Sequence, residues 1–164
     1  METKVPLSHI LAVLSVPSIR EEVGLSDEQI SKLAEIKQNP LSVPFGEAIR
    51  PIKELLNLQQ YKQLTRVLYQ GLMVRAFAVL EVEDALELTS EQKDEIASIQ
   101  ANLKSALQPF QNKVNGGKAI DMIALDRDIA VFHEEAYKDA IKLLTQKQRE
   151  IWDTIAKPVP LRKP

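Results

Sequence analysis

The side chains of this sequence whose types could support chemistry are His9, His133 and three acidic clusters: Glu21 with Glu22, Glu81 with Glu83 and Asp84, and Asp126 with Asp128. An acid/base pair needs two such groups held toward one substrate. Neighbouring positions on a helix point about 100° apart, so these acids read instead as solvated faces or as first-turn acids that complement a helix dipole. His133 stands in "FHEE", which supplies neither the E-x-x-H pair of a di-iron helix nor the H-E-x-x-H of a zinc helix. It is expected at an exposed helix position, and His9, within the apolar run "VPLSHILAVL", is expected to be partly buried with its polar atoms satisfied. No G-x-S-x-G elbow, phosphate-binding loop or G-x-G-x-x-G turn occurs, and the chain has no cysteine to act as thiolate, disulfide or zinc ligand. These residues predict no enzyme, no cofactor and no metal. Arg75 differs from the rest because it is set between Val74 and Phe77 in the most apolar part of the chain. A buried charge needs a partner, so Arg75 is expected either to pair with a carboxylate or to line a cleft, the ion pair being the favoured arrangement.

Composition narrows the classes further. At 164 residues the chain is long enough for one well-filled core, and 45% hydrophobic with 27% charged residues is the balance of a globular protein. The net charge is −2 and basic residues are scattered singly, which gives no stripe for nucleic acid and no patch for an anionic membrane. No stretch approaches the roughly 18 unbroken apolar residues of a membrane-spanning helix. The N-terminus is also a poor signal peptide, with Glu2 and Lys4 at its start.

What must position these side chains is announced by one short phrase said four times: "LSDEQ" at 25–29, "LNLQQ" at 56–60, "LTSEQ" at 88–92 and "LTQKQ" at 144–148. Each reads as a helix start. Ser26, Asn57, Thr89 or Thr145 can accept a bond from an orphan backbone amide while Gln29, Gln60, Gln92 or Gln148 reaches back to the cap's own amide, forming a capping box. The preceding Leu25, Leu56, Leu88 and Leu144 stand where a hydrophobic staple would begin; its far end is Ile30 or Tyr61 in the first two copies but Lys93 and Arg149 in the last two. Eight and eleven positions after each leucine come Leu33 and Ile36, Leu64 and Val67, Ile96 and Ile99, Trp152 and Ile155, one face of a helix in every copy.

The four copies form two pairs, the first matching the third at a shift of 63 residues and the second matching the fourth at a shift of 88. The pattern predicts a tandem duplication, with repeat unit 1 about 17–80 and repeat unit 2 about 81–157, inside one all-helical domain over 1–157. The second unit adds a helical hairpin: Ile96, Ile99, Leu103, Ala106 and Phe110 run out, "NGG" turns at Gly116 and Gly117, and Met122, Leu125, Ile129, Phe132, Ala136, Ala140 and Leu143 return. In the first unit "NPLSVP" is a connector, Pro51 suits a first helical turn, and the apolar run from Tyr61 to Leu80 predicts a central buried helix. No segment alternates long enough to argue a strand, so the fold class is all-α. The proline-rich 158–164 is a tail.

The four phrases are similar to the LTxxQ motif of the Spy/CpxP-like bacterial periplasmic proteins. "LTSEQKDEI" and "LLTQKQREIW", separated by a long hairpin, resemble one protomer of that family over about 70 residues. The resemblance implies an all-α, non-enzymatic periplasmic protein that binds unfolded clients or partner proteins on a helical surface in the manner of a chaperone. The alternative it leaves open is an envelope stress-sensor adaptor or a structural and interaction domain. It also implies export, the present chain being the mature form behind an added Met1. A binding surface of this type is apolar with basic rims, for which Arg75, Lys104, Lys113, Lys138 and Lys142 are the candidate rim and Phe110, Phe132 and Tyr137 the candidate apolar contacts. Because a duplicated chain satisfies internally what a smaller relative satisfies by pairing, a monomer or weak homodimer is expected.

Overall fold

The structure, a computed structural model, describes residues 2–36, 41–115 and 122–156. The predicted hairpin tip at Gly116 and Gly117 and the tail over 158–164 lie outside the described residues. The fold is all-α. Its helices are α1 (Leu7–Ser15), α2 (Pro17–Val23), α3 (Asp27–Glu35), α4 (Phe45–Lys53), α5 (Leu58–Leu72), α6 (Leu80–Leu86), α7 (Ser90–Asn115), α8 (Met122–Leu143) and α9 (Gln146–Ala156), with a 3₁₀ segment over Met73–Ala78 between α5 and α6.

All four capping boxes form. Gln29 N–H donates to Ser26 Oγ at 3.2 Å, Gln60 N–H to Asn57 Oδ1 at 2.9 Å, Gln92 N–H to Thr89 Oγ1 at 3.2 Å and Gln148 N–H to Thr145 Oγ1 at 3.3 Å. Each glutamine Oε1 accepts the cap residue's own N–H in return. The predicted helical phase also holds: Leu33, Leu64, Ile96 and Trp152 are buried, and Ile36, Val67, Ile99 and Ile155 are half-buried beside them.

The glutamines have a second task that a single helix start does not need. The starts of α3 and α5 meet, and so do those of α7 and α9. Gln29 and Gln60 donate to each other's Oε1 at 2.9 and 3.0 Å, and Gln92 and Gln148 do the same at 2.8 and 3.0 Å. Each remaining N–H reaches a backbone carbonyl on the partner's side: Gln29 to Leu55, Gln60 to Gly24, Gln92 to Leu143 and Gln148 to Leu86. A polar side chain can be buried here because its donors and acceptors are all engaged; Gln60 and Gln148 are only 8% and 7% exposed. The chain enters the first and third starts through a left-handed residue, Gly24 (φ 72°) and Glu87 (φ 50°). Glycine adopts that conformation freely, whereas Glu87 bears a side-chain penalty there.

In the last two copies the staple is replaced by polar contacts, since Lys93 Nζ lies 2.7 Å from Glu83 and Arg149 Nε donates to the Leu144 carbonyl at 3.0 Å. Leu88 and Leu144 are nevertheless buried, while Leu25 and Leu56 of the first two copies are half-buried.

Three expectations are corrected. The run from Tyr61 to Leu80 is not one helix: α5 ends at Leu72, Met73 takes φ 51°, and Val74, Ala76, Phe77 and Ala78 are buried in the 3₁₀ segment. Apolar residues on several faces signalled burial correctly, but a tight corner wedged among α5, α6, α7 and α8 buries them as well as a central helix would. Pro51 lies inside α4 rather than in its first turn, which Phe45 opens after Pro44. The chain also contains a small antiparallel ribbon, β1 (Lys4–Pro6) with β2 (Ser42–Pro44), Val5 opposite Val43. At three residues each, its strands are too short to show an alternation.

The core carries an aromatic chain: Phe45 to Tyr69 (5.6 Å between centroids), Tyr69 to Trp152 (6.5 Å), Trp152 to Phe77 (4.4 Å) and Phe77 to Tyr137 (6.1 Å). At its edge Tyr61 and Tyr69 both donate to Glu81, at 2.9 and 3.3 Å, and Lys53 lies over the Tyr61 ring. Burial first, and then Glu81, holds both phenols protonated well above their ordinary range.

Candidate functional site

Helix α7 leaves its capping box with Ile96 and Leu103 turned into the core. The next face along it carries Ala97, Gln100, Ala101, Lys104, Leu107 and Gln111, and this face borders a cleft of about 500 Å³. Gln100 fastens one wall by donating to the Val74 carbonyl of the 3₁₀ segment at 3.1 Å. Arg75, on the same segment, and His133, on α8, complete the lining. Leu103, Leu107 and the two alanines give the cleft an apolar floor, while Arg75, Lys104 and His133 supply its nitrogen-bearing edge.

Arg75 is held from behind. Its carbonyl accepts a bond from Thr3 Oγ1 and its Nη2 donates to the Lys4 carbonyl at 2.8 Å, so the N-terminal ribbon sets where the guanidinium stands. The expected ion pair is therefore corrected: Arg75 is exposed and lines the cleft, the other arrangement its sequence context allowed. A 3₁₀ corner lets one residue of a buried run point outward, which removes the need for a counter-charge. Among the described residues Lys104 has no carboxylate within 4.0 Å, and no aspartate or glutamate lines the cleft. A guanidinium and an ammonium without a carboxylate partner, above an apolar floor, can hold a carboxylate while an adjoining apolar group is buried.

The two histidines exchange roles relative to expectation. His133 is half-buried on the cleft wall, not exposed, because α8 turns that face toward the 3₁₀ corner. His9 is exposed on α1, whose buried face is Leu7, Ile10 and Leu14.

Of the other candidate contacts, Phe110 and Phe132 pack edge to face across the hairpin, 5.6 Å between centroids, and both are half-buried. Tyr137 belongs to the aromatic core: its hydroxyl accepts from Trp152 Nε1 at 2.8 Å and its ring stacks on Phe77. Lys138 and Lys142 are exposed but locally paired, with Glu134 at 2.7 Å and Asp139 at 2.8 Å. The side chain of Lys113 lies outside the described residues. Of the candidates whose side chains the structure describes, Phe110, Phe132, Tyr137, Lys138 and Lys142 thus do not line the cleft, whereas Arg75 and Lys104 are both brought to it. Sequence reading missed Ala97, Ala101, Leu107 and His133 as their companions; the available signal was the spacing of α7 from Ala97 to Gln111.

No family model, curated protein or solved structure matches this chain.

Two smaller cavities lie elsewhere. One of about 260 Å³ is lined by Tyr69, Tyr137 and Trp152 of the aromatic core, and one of about 320 Å³ lies among α1, α2 and α3 with its edge at Ile36, where the described residues stop. A depression of about 600 Å³ over the first junction is lined by its own capping groups, Ser26, Gln29, Asn57 and Gln60. Among the described residues no group of three or more histidines, aspartates or glutamates could hold a metal ion, and no helix is long and apolar enough to cross a membrane.

Proposed function

We propose that this chain is a non-enzymatic, chaperone-like binder of protein segments and that the α7 cleft is where it holds them. The observation that carries this reading is that Arg75 and Lys104, neither with a carboxylate partner among the described residues, share the rim of an apolar floor made by Leu103 and Leu107. Polypeptide binding needs that combination: apolar surface supplies affinity, and charges at the rim supply orientation and rate. The resemblance to the Spy/CpxP-like family points the same way. It also supports periplasmic localisation, testable by fractionating cells that express the full gene. The two glutamine-paired junctions support the proposal that the fold arose by tandem duplication.

The test is aggregation of a chemically unfolded client, without ATP, in the presence of equimolar protein. The proposal expects delayed aggregation, with the delay lost in Ala101→Trp, which fills the cleft from an exposed position. A client that aggregates at the same rate with and without the protein refutes it. A second reading, an adaptor for one dedicated partner, is favoured by the presence of Arg75 and Lys104 on the same cleft. In that case aggregation is unaffected and a single partner saturates the cleft.

A further inference from the structure

Five of the seven cleft-lining residues of α7, Ala97, Gln100, Lys104, Leu107 and Gln111, step along the helix at intervals of three, four, three and four, with Ala101 and Leu103 beside them. That is the seam spacing of a coiled coil, presented over about 21 Å of helix. Ala97 and Ala101 keep the upper part of the seam low enough for another backbone to approach closely. The lower part offers Leu107 as a knob. From these observations, and resting on the reading of the cleft as a protein-binding site, we infer that its occupant is an amphipathic α-helix of another protein whose apolar stripe is flanked by glutamate or aspartate.

The charge of the rim selects the flank. Arg75 and Lys104 stand on the cleft with no carboxylate among its lining residues, so a helix carrying acids beside its stripe gains two ion pairs and one carrying lysines meets repulsion. The same charges argue against a second copy of this chain. A two-fold arrangement that uses the whole stripe, parallel or antiparallel, centres on Lys104 and sets that ammonium against its own copy. A single lysine at a seam position is the kind of device that fixes partner and register in helix pairs.

The test uses synthetic, fluorescently labelled peptides of about three heptads: one with a Leu stripe flanked by Glu, one identical with Lys at those flanks, and one with the Glu flanks and a central Pro that breaks the helix. Anisotropy titrations with the intact protein should show the Glu peptide binding at least about tenfold more tightly than either of the others. Lys104→Glu should erase or invert the preference, and Ala101→Trp should abolish binding; both positions are exposed, and circular dichroism verifies that the fold is kept. Equal affinity for the Glu and Lys peptides, equal affinity for the Pro peptide, or indifference to Lys104→Glu overturns the inference. So does a concentration-dependent dimer, seen by sedimentation, that Ala101→Trp dissolves. Delayed client aggregation without any peptide preference overturns the helix inference alone. Peptide preference without delayed aggregation supports the inference and overturns the chaperone-like reading.

Discussion

The first turn of α7 and its middle lie within one continuous helix and treat polar groups in opposite ways. At the start, the Gln92 side-chain amide is fully committed, to the Thr89 N–H, to Gln148 and to the Leu143 carbonyl, and Thr89 Oγ1 accepts the Gln92 N–H in return. In the middle, neither Lys104 nor Arg75 has a carboxylate partner among the described residues, and Arg75, held by one bond to the Lys4 carbonyl, lines the cleft. Saturated, buried polar networks fix a fold, while uncommitted charges at the rim of an apolar surface add nothing to stability and are available for recognition. The two regions should therefore separate under mutation. The junction should control stability, and the cleft should control binding.

The largest effect expected is at the second junction's leucine. Leu144 is 2% exposed, and Leu144→Ala should cost about 2–5 kcal/mol in a urea titration. Leu56→Ala, at the half-buried equivalent in the first junction, should cost clearly less. Next comes the amide pair. Gln148→Ala leaves the Leu86 carbonyl and one face of Gln92 unpaired, which should cost about 1–3 kcal/mol. Gln92→Ala, removing the more exposed member, should cost less, and equal losses would show that the pair is not asymmetric in burial.

Smaller again is an alkaline effect. Tyr61 and Tyr69 hold their protons in the folded state above the pH at which an unfolded tyrosine, near pH 10, releases its own. The folded form then binds more protons than the unfolded form, so their contribution is complete below about pH 10 and falls as pH rises through it. Denaturation midpoints at pH 8 and pH 11 should differ, with a slope above pH 10 of at most about 1.4 kcal/mol per pH unit for each phenol, chiefly from the more buried Tyr69. The Tyr61→Phe, Tyr69→Phe double variant should flatten that difference. The smallest stability effects are expected at the cleft, where Lys104→Glu and Ala101→Trp should change unfolding free energy by no more than about 0.5 kcal/mol. A large loss of stability there would merge the two regions and remove the contrast.

Much of this contrast is written in the sequence, and unevenly. The helix starts at Ser26, Asn57, Thr89 and Thr145 were legible because a cap and its box are local, three residues apart, and the phase of Leu33, Leu64, Ile96 and Trp152 followed from the 3.6 period. That the glutamines also meet in pairs was not legible, since Gln92 and Gln148 are joined only by tertiary folding. The break at Met73 escaped for a related reason: burial on all sides hides periodicity, so a 3₁₀ corner and a buried helix look alike in "MVRAFAV". Arg75 illustrates both sides. Its sequence context demanded an ion pair or a cleft, and only the outward turn of that corner decides between them.

The central claim, that the cleft on α7 is the binding surface, is most directly tested by site-specific crosslinking. The chain has no cysteine, so Ser105→Cys, exposed beside the cleft without lining it, and, as a control on the first junction, Glu28→Cys can each carry one photoreactive benzophenone. Illuminated with a chemically unfolded client, the label at position 105 should give a covalent protein–client adduct and the label at position 28 should give little or none. Adducts of equal yield from both positions, or none from position 105, would contradict the account.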